Sequence, residues 1–186
     1  MILNLFRRGR SSVDPYPLYD SIVSQARSVA FYRDLDVDDT LDGRFDMITL
    51  HAVLAFDALS HRGQEAVDLS QATFDLMFKD MDRSLREIGV GDVSIPKKVK
   101  KMGEVFFGRS DAYRKALAAQ DRAELATALH RNVYASTGGE AESVQLADYA
   151  MRSAEALRRA EDADFYTGQL QWPHIFQDQS GTRPHG

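Results

Sequence analysis

A concentration of lysine in an otherwise acidic chain is the strongest chemical signal in the sequence. The segment 94–115 holds seven basic and two acidic residues, although the whole chain of 186 residues has a net charge of -5. The lysine cluster, as we call it, consists of Lys97, Lys98, Lys100 and Lys101. Ser94 and Pro96 predict that a helix begins immediately before it, with Ser94 as its cap.

Basic side chains are unfavourable at the amino-terminal end of a helix, where the macrodipole is positive. The lysine cluster therefore costs local stability. Its position suits an anion such as phosphate, a lipid head group, ribosomal RNA or an acidic protein loop. A solvated basic face without a ligand is the alternative.

A second group of charges lies on the preceding predicted helix. Asp80 lies three residues before Arg83, and Asp82 lies four residues before Arg86. Such spacings are typical of ion pairs on one helix face, and Arg83 has the same relation to Glu87. We interpret the group as a solvated ion-pair lattice, with a partner surface as the alternative. The candidate partner-binding residues are therefore Lys97, Lys98, Lys100, Lys101, Asp80, Asp82, Arg83 and Arg86.

The sequence gives little support to a catalytic or metal site. Asp57 and His61 share a helix face, but one such pair supplies only two ligands, fewer than a zinc site needs. His51 and His130 have no serine or carboxylate arrangement around them, so we expect partly buried, hydrogen-bonded histidines. We predict no catalytic residue, no metal and no cofactor. The rival hypothesis is a small helical enzyme or metalloprotein that uses Asp57, His61 and the carboxylates of residues 75–87.

Composition excludes several further classes of protein. The chain has no cysteine, which rules out disulfides and cysteine nucleophiles. Its net charge argues against general nucleic-acid binding, so we expect no DNA partner. No long apolar run or secretory signal is present, and we expect a cytoplasmic protein. Residues 1–10, which combine apolar side chains with three arginines, could still touch an anionic bilayer. A peripheral lipid-binding protein is therefore a second rival.

Apolar residues recur at helical spacing through most of the chain, and no hairpin signal is present. The clearest stripe comprises Phe74, Met77, Phe78, Met81, Leu85 and Ile88. We predict a first helix over about 16–28, a short apolar turn at 30–32, a central helix after Gly43 and an amphipathic helix between Gly63 and Gly89. A further helix is predicted from Ser94, with an interruption at Gly108. Two more are predicted to be capped by Ser110 and Asp121, and a last one covers about 142–161. The predicted fold class is all-α, a single compact domain of about seven or eight helices over 15–175. The flanking segments 1–14 and 176–186 are expected to be flexible and disordered respectively.

Several segments together resemble the ubiquinol-cytochrome c reductase chaperone family. They are Phe31-Tyr32-Arg33-Asp34-Leu35, Gly43-Arg44-Phe45-Asp46-Met47, the long block from Asp80 to Asp92, Pro96-Lys97-Lys98-Val99-Lys100-Lys101-Met102, Phe106-Phe107-Gly108-Arg109 and Arg131-Asn132-Val133-Tyr134. The resemblance extends over roughly residues 15–175, and the block from Asp80 to Asp92 is long and unusual in composition.

The resemblance implies an all-helical assembly chaperone, not an enzyme, that stabilises newly made cytochrome b until haem insertion and complex assembly. The implied partners are cytochrome b or another subunit of the ubiquinol-cytochrome c reductase complex. Mitochondrial members also work near the ribosomal tunnel exit with a second assembly factor, so the ribosome and an anionic membrane surface are further candidates. Because the chain lacks the targeting presequence of the mitochondrial pattern, we expect a bacterial member that is cytoplasmic or peripheral on the inner membrane.

Overall fold

The structure, a computed structural model, describes residues 13–134 and 138–176 and is predominantly helical in this part of the chain. Its elements are α1 (Tyr16–Ala26), α2 (Val29–Arg33), α3 (Leu41–Leu59), α4 (Gln64–Glu87), α5 (Ile95–Ala118), α6 (Arg122–Leu129), a π-helical turn (His130–Tyr134), α7 (Glu140–Arg159) and α8 (Asp162–Thr167). Within the described residues there is no strand, which confirms the predicted all-α class. None of the helices in these two ranges is both long and apolar enough to cross a membrane.

Helix α3 is the central element, as predicted from the apolar residues around much of its circumference. It contacts α1, α4, α5 and α7, and most of its residues are buried. The helix begins two residues before Gly43, because the Thr40 hydroxyl accepts a hydrogen bond of 3.1 Å from the Gly43 amide. A Cβ atom at Gly43 would lie 2.0 Å from the Asp38 carbonyl oxygen. Glycine is therefore required here by the close approach of the preceding loop.

Helices α4 and α5 form an antiparallel hairpin that packs against α3. The predicted stripe on α4 is only partly buried: Met77, Met81 and Leu85 are inside, whereas Phe74 and Phe78 are half-buried. Ile88, expected at the end of the stripe, is 62% exposed. The helix stops at Glu87, so the chain has already left the packed face when it reaches Ile88.

Helix α5 runs without interruption through Gly108, so the predicted break there is wrong. Ser110 consequently lies inside the helix and caps nothing. A glycine in a helix interior costs about 1 kcal/mol relative to alanine. Burial of Phe106 and Tyr113 on either side of Gly108 outweighs this cost, since a fully buried aromatic side chain stabilises by roughly 1.5–3 kcal/mol.

The short elements were the hardest to predict. Residues 30–32, expected to be a turn, belong to α2, and α8 was not predicted. Helices of five and six residues are too short to show a periodic pattern. The expected cap at Asp121 is confirmed, because its carboxylate accepts a hydrogen bond of 2.9 Å from the Glu124 amide. The flexible segment predicted for 1–14 and the disordered tail predicted for 176–186 lie almost entirely outside the described residues.

Candidate docking surfaces

The lysine cluster lies on the first turns of α5, and all four of its side chains are exposed. The Lys101 ammonium lies 3.6 Å from a Glu104 carboxylate oxygen. The other three lysines form no ion pair with any described residue. Ser94 stands at the N-cap position, but its side chain accepts no cap hydrogen bond, contrary to our expectation. The start of α5 thus joins unneutralised positive charge to the positive end of a helix dipole.

The charged face of α4, by contrast, is neutralised by its own residues. Arg83 contacts Asp80 at 2.5 Å and Glu87 at 3.7 Å. Arg86 contacts Asp82 at 2.8 Å. The predicted ion-pair lattice is therefore present, with the spacings that the sequence indicated.

Two members of this face also hold parts of the fold together. The Tyr19 hydroxyl of α1 donates a hydrogen bond of 2.9 Å to Asp80, and burial together with this bond raises the pKa of the tyrosine. Arg86 reaches across the α4–α5 loop to Asp92 at 2.6 Å. These contacts of Asp80 and Arg86 therefore position α1 and the loop independently of any partner.

The loop between the two helices, residues 88–94, presents apolar side chains to solvent. Val93 is 95% exposed and Ile88 is 62% exposed. The loop has defined hydrogen bonds, because the Gly89 amide donates to the Arg86 carbonyl and the Val90 amide to the Leu85 carbonyl, both at 3.0 Å. Gly89 has a φ of 84°, the left-handed conformation that favours glycine after a helix. Sequence reasoning identified this turn but missed its exposed aliphatic residues.

A cleft of about 1420 Å³ opens between α3, α5 and the end of α7. Phe107, which is 46% exposed, lines it and packs against Phe74 with their ring centroids 5.6 Å apart. Asp57 and His61 line the same cleft, but Asp57 is paired with Arg114 at 2.9 Å. No group of three or more metal-ligating side chains exists among the described residues.

A buried ion pair lies beneath the hairpin. The Arg109 guanidinium contacts the Asp46 carboxylate and donates a second hydrogen bond of 3.0 Å to the Asn132 carbonyl in the π-helical turn. Burial raises the pKa of Asp46 to about 6, against the opposing effect of Arg109. The pair joins α3, α5 and the π-helical turn. No spacing rule connects these three segments, and sequence reasoning assigned Arg109 and Asn132 no role of their own.

His51 forms the second buried polar network. Its Nδ1 lies 2.7 Å from the Met47 carbonyl, so that nitrogen carries the hydrogen, and the Tyr149 hydroxyl donates to Nε2 at 2.8 Å. Gln25 in turn donates to the Tyr149 oxygen at 2.9 Å. Burial lowers the pKa of His51 to about 4, which keeps the ring neutral. The expected hydrogen bonding is present, and the burial is complete, not partial.

Four of the six segments that carry the family resemblance meet in this interior. Asp46, Arg109 and Asn132 come from three of them. The Tyr134 hydroxyl, from the third, donates a hydrogen bond of 2.8 Å to the carbonyl of Leu35, which lies in a fourth. These four segments therefore contribute residues that hold the helices in position, whereas the other two lie at the exposed end of the α4–α5 hairpin.

Comparison with known proteins finds the same family that the sequence segments resemble. The family described as ubiquinol-cytochrome C chaperone matches residues 33–172. A Xenopus laevis protein named ubiquinol-cytochrome-c reductase complex assembly factor 1 is 22% identical over 171 residues, which cover 90% of this chain and 85% of the relative. The crystal structure of the Cbp3 homolog from Brucella abortus is 35% identical, with a TM-score of 0.79 over 87% of this chain and 89% of that chain. Because the family match spans most of the chain, this protein belongs to the ubiquinol-cytochrome C chaperone family.

Proposed function

We propose that this chain binds newly made cytochrome b and supports assembly of the ubiquinol-cytochrome c reductase complex. The family match over residues 33–172 is the observation that carries the proposal. The Xenopus laevis relative is named as an assembly factor of the same complex. The function requires binding alone, and we propose no catalytic step.

The α4–α5 hairpin and the adjoining cleft offer the client two kinds of contact. Phe107 supplies an exposed aromatic ring at the edge of the cleft, which suits an apolar client segment. The eight candidate partner-binding residues lie around the opposite end of the hairpin. They remain our proposed polar contacts. The lysines are more available to a partner than the charged residues of α4, because three of them form no ion pair with a described residue.

Affinity capture from native membranes tests the proposal. The tagged chain is added to membranes solubilised in mild detergent, and cytochrome b is measured in the captured fraction. We expect cytochrome b to be enriched over an unrelated polytopic protein of similar abundance. Equal recovery of both proteins would contradict the assignment.

A matched pair of variants assigns the contact to the cleft. Phe107→Ser removes the exposed ring, and Val67→Ser changes a similarly exposed side chain elsewhere on the hairpin, since Val67 is 43% exposed. We expect Phe107→Ser to lower recovery of cytochrome b and Val67→Ser to leave it unchanged. Equal recovery with both variants would place the client contact outside the cleft.

A further inference from the structure

The end of the hairpin combines exposed aliphatic side chains with a concentration of positive charge. We call this end the hairpin tip, meaning residues 88–94 and the lysine cluster. It carries two strongly exposed aliphatic side chains, Ile88 and Val93, followed within a few residues by four exposed lysines. The chain has six lysines in all, so two thirds of them are gathered here.

The tip is also held in a defined shape. The Ser94 amide donates a hydrogen bond of 2.8 Å to the Gly91 carbonyl, and Arg86 pairs with Asp92 across the loop. A loop that is already ordered loses little conformational entropy when it meets a surface. The aliphatic residues are thus presented to solvent by a fixed backbone.

We propose that the hairpin tip docks on anionic lipid, with Ile88 and Val93 entering the head-group region and the lysine cluster contacting lipid phosphates. An apolar wedge beside basic residues is the two-part signal by which proteins attach reversibly to membrane surfaces. This docking goes beyond the proposed function, because it gives the lysine cluster a lipid ligand in addition to the client.

The charges around the tip agree with an anionic surface. Its acidic neighbours Glu87 and Asp92 are each paired with an arginine of α4, at 3.7 Å and 2.6 Å. Three of the four lysines have no such partner among the described residues, so the tip keeps a positive excess. The amino-terminal end of α5 adds the positive pole of its dipole at the same place.

The aliphatic residues distinguish lipid from other anions. Ribosomal RNA or an acidic protein loop would be bound by the lysines through phosphate or carboxylate contacts, and neither gains from a fully exposed valine. A bilayer interface gains from both groups, because it offers anionic head groups directly above an apolar layer. The position of Val93 therefore favours lipid.

Vesicle flotation of the full chain tests the proposal without any protein partner. Vesicles of phosphatidylcholine alone are compared with vesicles of equal parts phosphatidylcholine and phosphatidylglycerol. We expect binding to the anionic vesicles only, weakening as salt rises. Each lysine near the surface is worth roughly a fivefold change in affinity, so changing all four lysines to Gln should weaken binding by on the order of several hundredfold.

The second variant, Ile88→Ser with Val93→Ser, removes the two exposed aliphatic side chains and keeps every charge. We expect it to weaken binding to anionic vesicles as well. Val67→Ser is the matched control, because Val67 lies near the start of α4, 21 residues before Ile88 and about 31 Å from it along the helix that leads into the tip. It should bind like the wild type.

A fluorescent label reports insertion directly, because the chain has no cysteine of its own. Val93→Cys carrying an environment-sensitive dye should shift its emission to the blue on anionic vesicles, and Val67→Cys with the same dye should not. No binding to anionic vesicles would overturn the proposal. Loss of binding in the four-Gln variant alone, without a shift at residue 93, would also overturn it, because the lysines would then hold the vesicle by charge without insertion of the aliphatic residues. Failure of cytochrome b capture in detergent would affect only the proposed function.

Discussion

The two charged regions at the end of the α4–α5 hairpin differ in how their charges are compensated. On α4, arginine and carboxylate side chains alternate at helical spacing and pair with each other or with α1 and the loop. On α5, three of the four lysines of the cluster have no partner among the described residues. Arginine forms fixed, directional pairs, whereas lysine carries a mobile, strongly hydrated charge. The α4 region thus has the chemistry of a structural element, and the α5 region keeps the uncompensated charge that the proposed lipid contact requires.

The buried Asp46–Arg109 pair extends this comparison into the core. It joins three elements, and both side chains are nearly inaccessible, at 9% and 15% exposure. Removing one member of a buried pair leaves an uncompensated charge, which costs far more than the loss of an exposed pair. Substitutions should therefore lower the free energy of unfolding most at the buried pair, less on the exposed α4 face and least in the lysine cluster.

The largest effect is expected from Arg109→Met. The Asp46 carboxylate would remain buried without its partner, so the free energy of unfolding should fall by about 3–5 kcal/mol. Denaturant unfolding measures this loss. Combining Arg109→Met with Asp46→Asn removes both charges and should recover part of the stability. If the double variant is as unstable as the single one, the loss comes from packing and not from the unpaired charge.

The pH dependence of stability should show two buried groups acting in opposite directions. His51 has a pKa of about 4 in the folded chain and an ordinary value of 6.5. The unfolded chain therefore binds more protons between these values. Stability from this group is lost as the pH falls from 6.5 to 4, by up to about 3 kcal/mol.

Asp46 opposes this trend, because its pKa is raised from 3.8 to about 6 in the folded chain. The folded state binds more protons in that range, so the contribution of Asp46 to stability falls as the pH rises through 6. We expect His51→Gln to lose stability less steeply than the wild type as the pH falls from 6.5 to 4. Asp46→Asn should lose it more steeply. Parallel curves for all three proteins would show that neither group titrates in this range.

A smaller effect is expected from Arg86→Gln on the exposed α4 face. Its pairs with Asp82 and Asp92 are accessible to solvent and screened by salt. The melting temperature should fall slightly at low salt and match the wild type at high salt. A large fall that persists at high salt would mean that this arginine is structurally as important as Arg109.

The smallest effect on stability is expected from changing all four lysines of the cluster to Gln. Removing positive charge from the amino-terminal end of α5 relieves an unfavourable interaction with the helix dipole. The melting temperature should therefore stay the same or rise slightly. A clear fall would show that the lysines support the fold, and the contrast with the α4 face would then disappear.

Much of the local structure was predictable, because it depends on neighbours within one or two helical turns. The Asp82–Arg86 and Arg83–Glu87 pairs follow from four-residue spacing, and the Asp121 cap follows from its place before a helix. The lysine cluster was equally visible, since charge concentration is a property of composition. Each of these features is determined by residues adjacent in sequence.

The sequence by itself thus determined a helical chain with charged regions at one hairpin. Tertiary packing alone decided that Arg109 meets Asp46, 63 residues away, and that His51 meets Tyr149, 98 residues away. It also decided that α5 continues through Gly108, because buried neighbours outweigh the local preference of glycine. Tertiary packing also left Val93 and Ile88 exposed. Burial depends on which surfaces the remaining helices cover, and no periodicity within one segment contains that information.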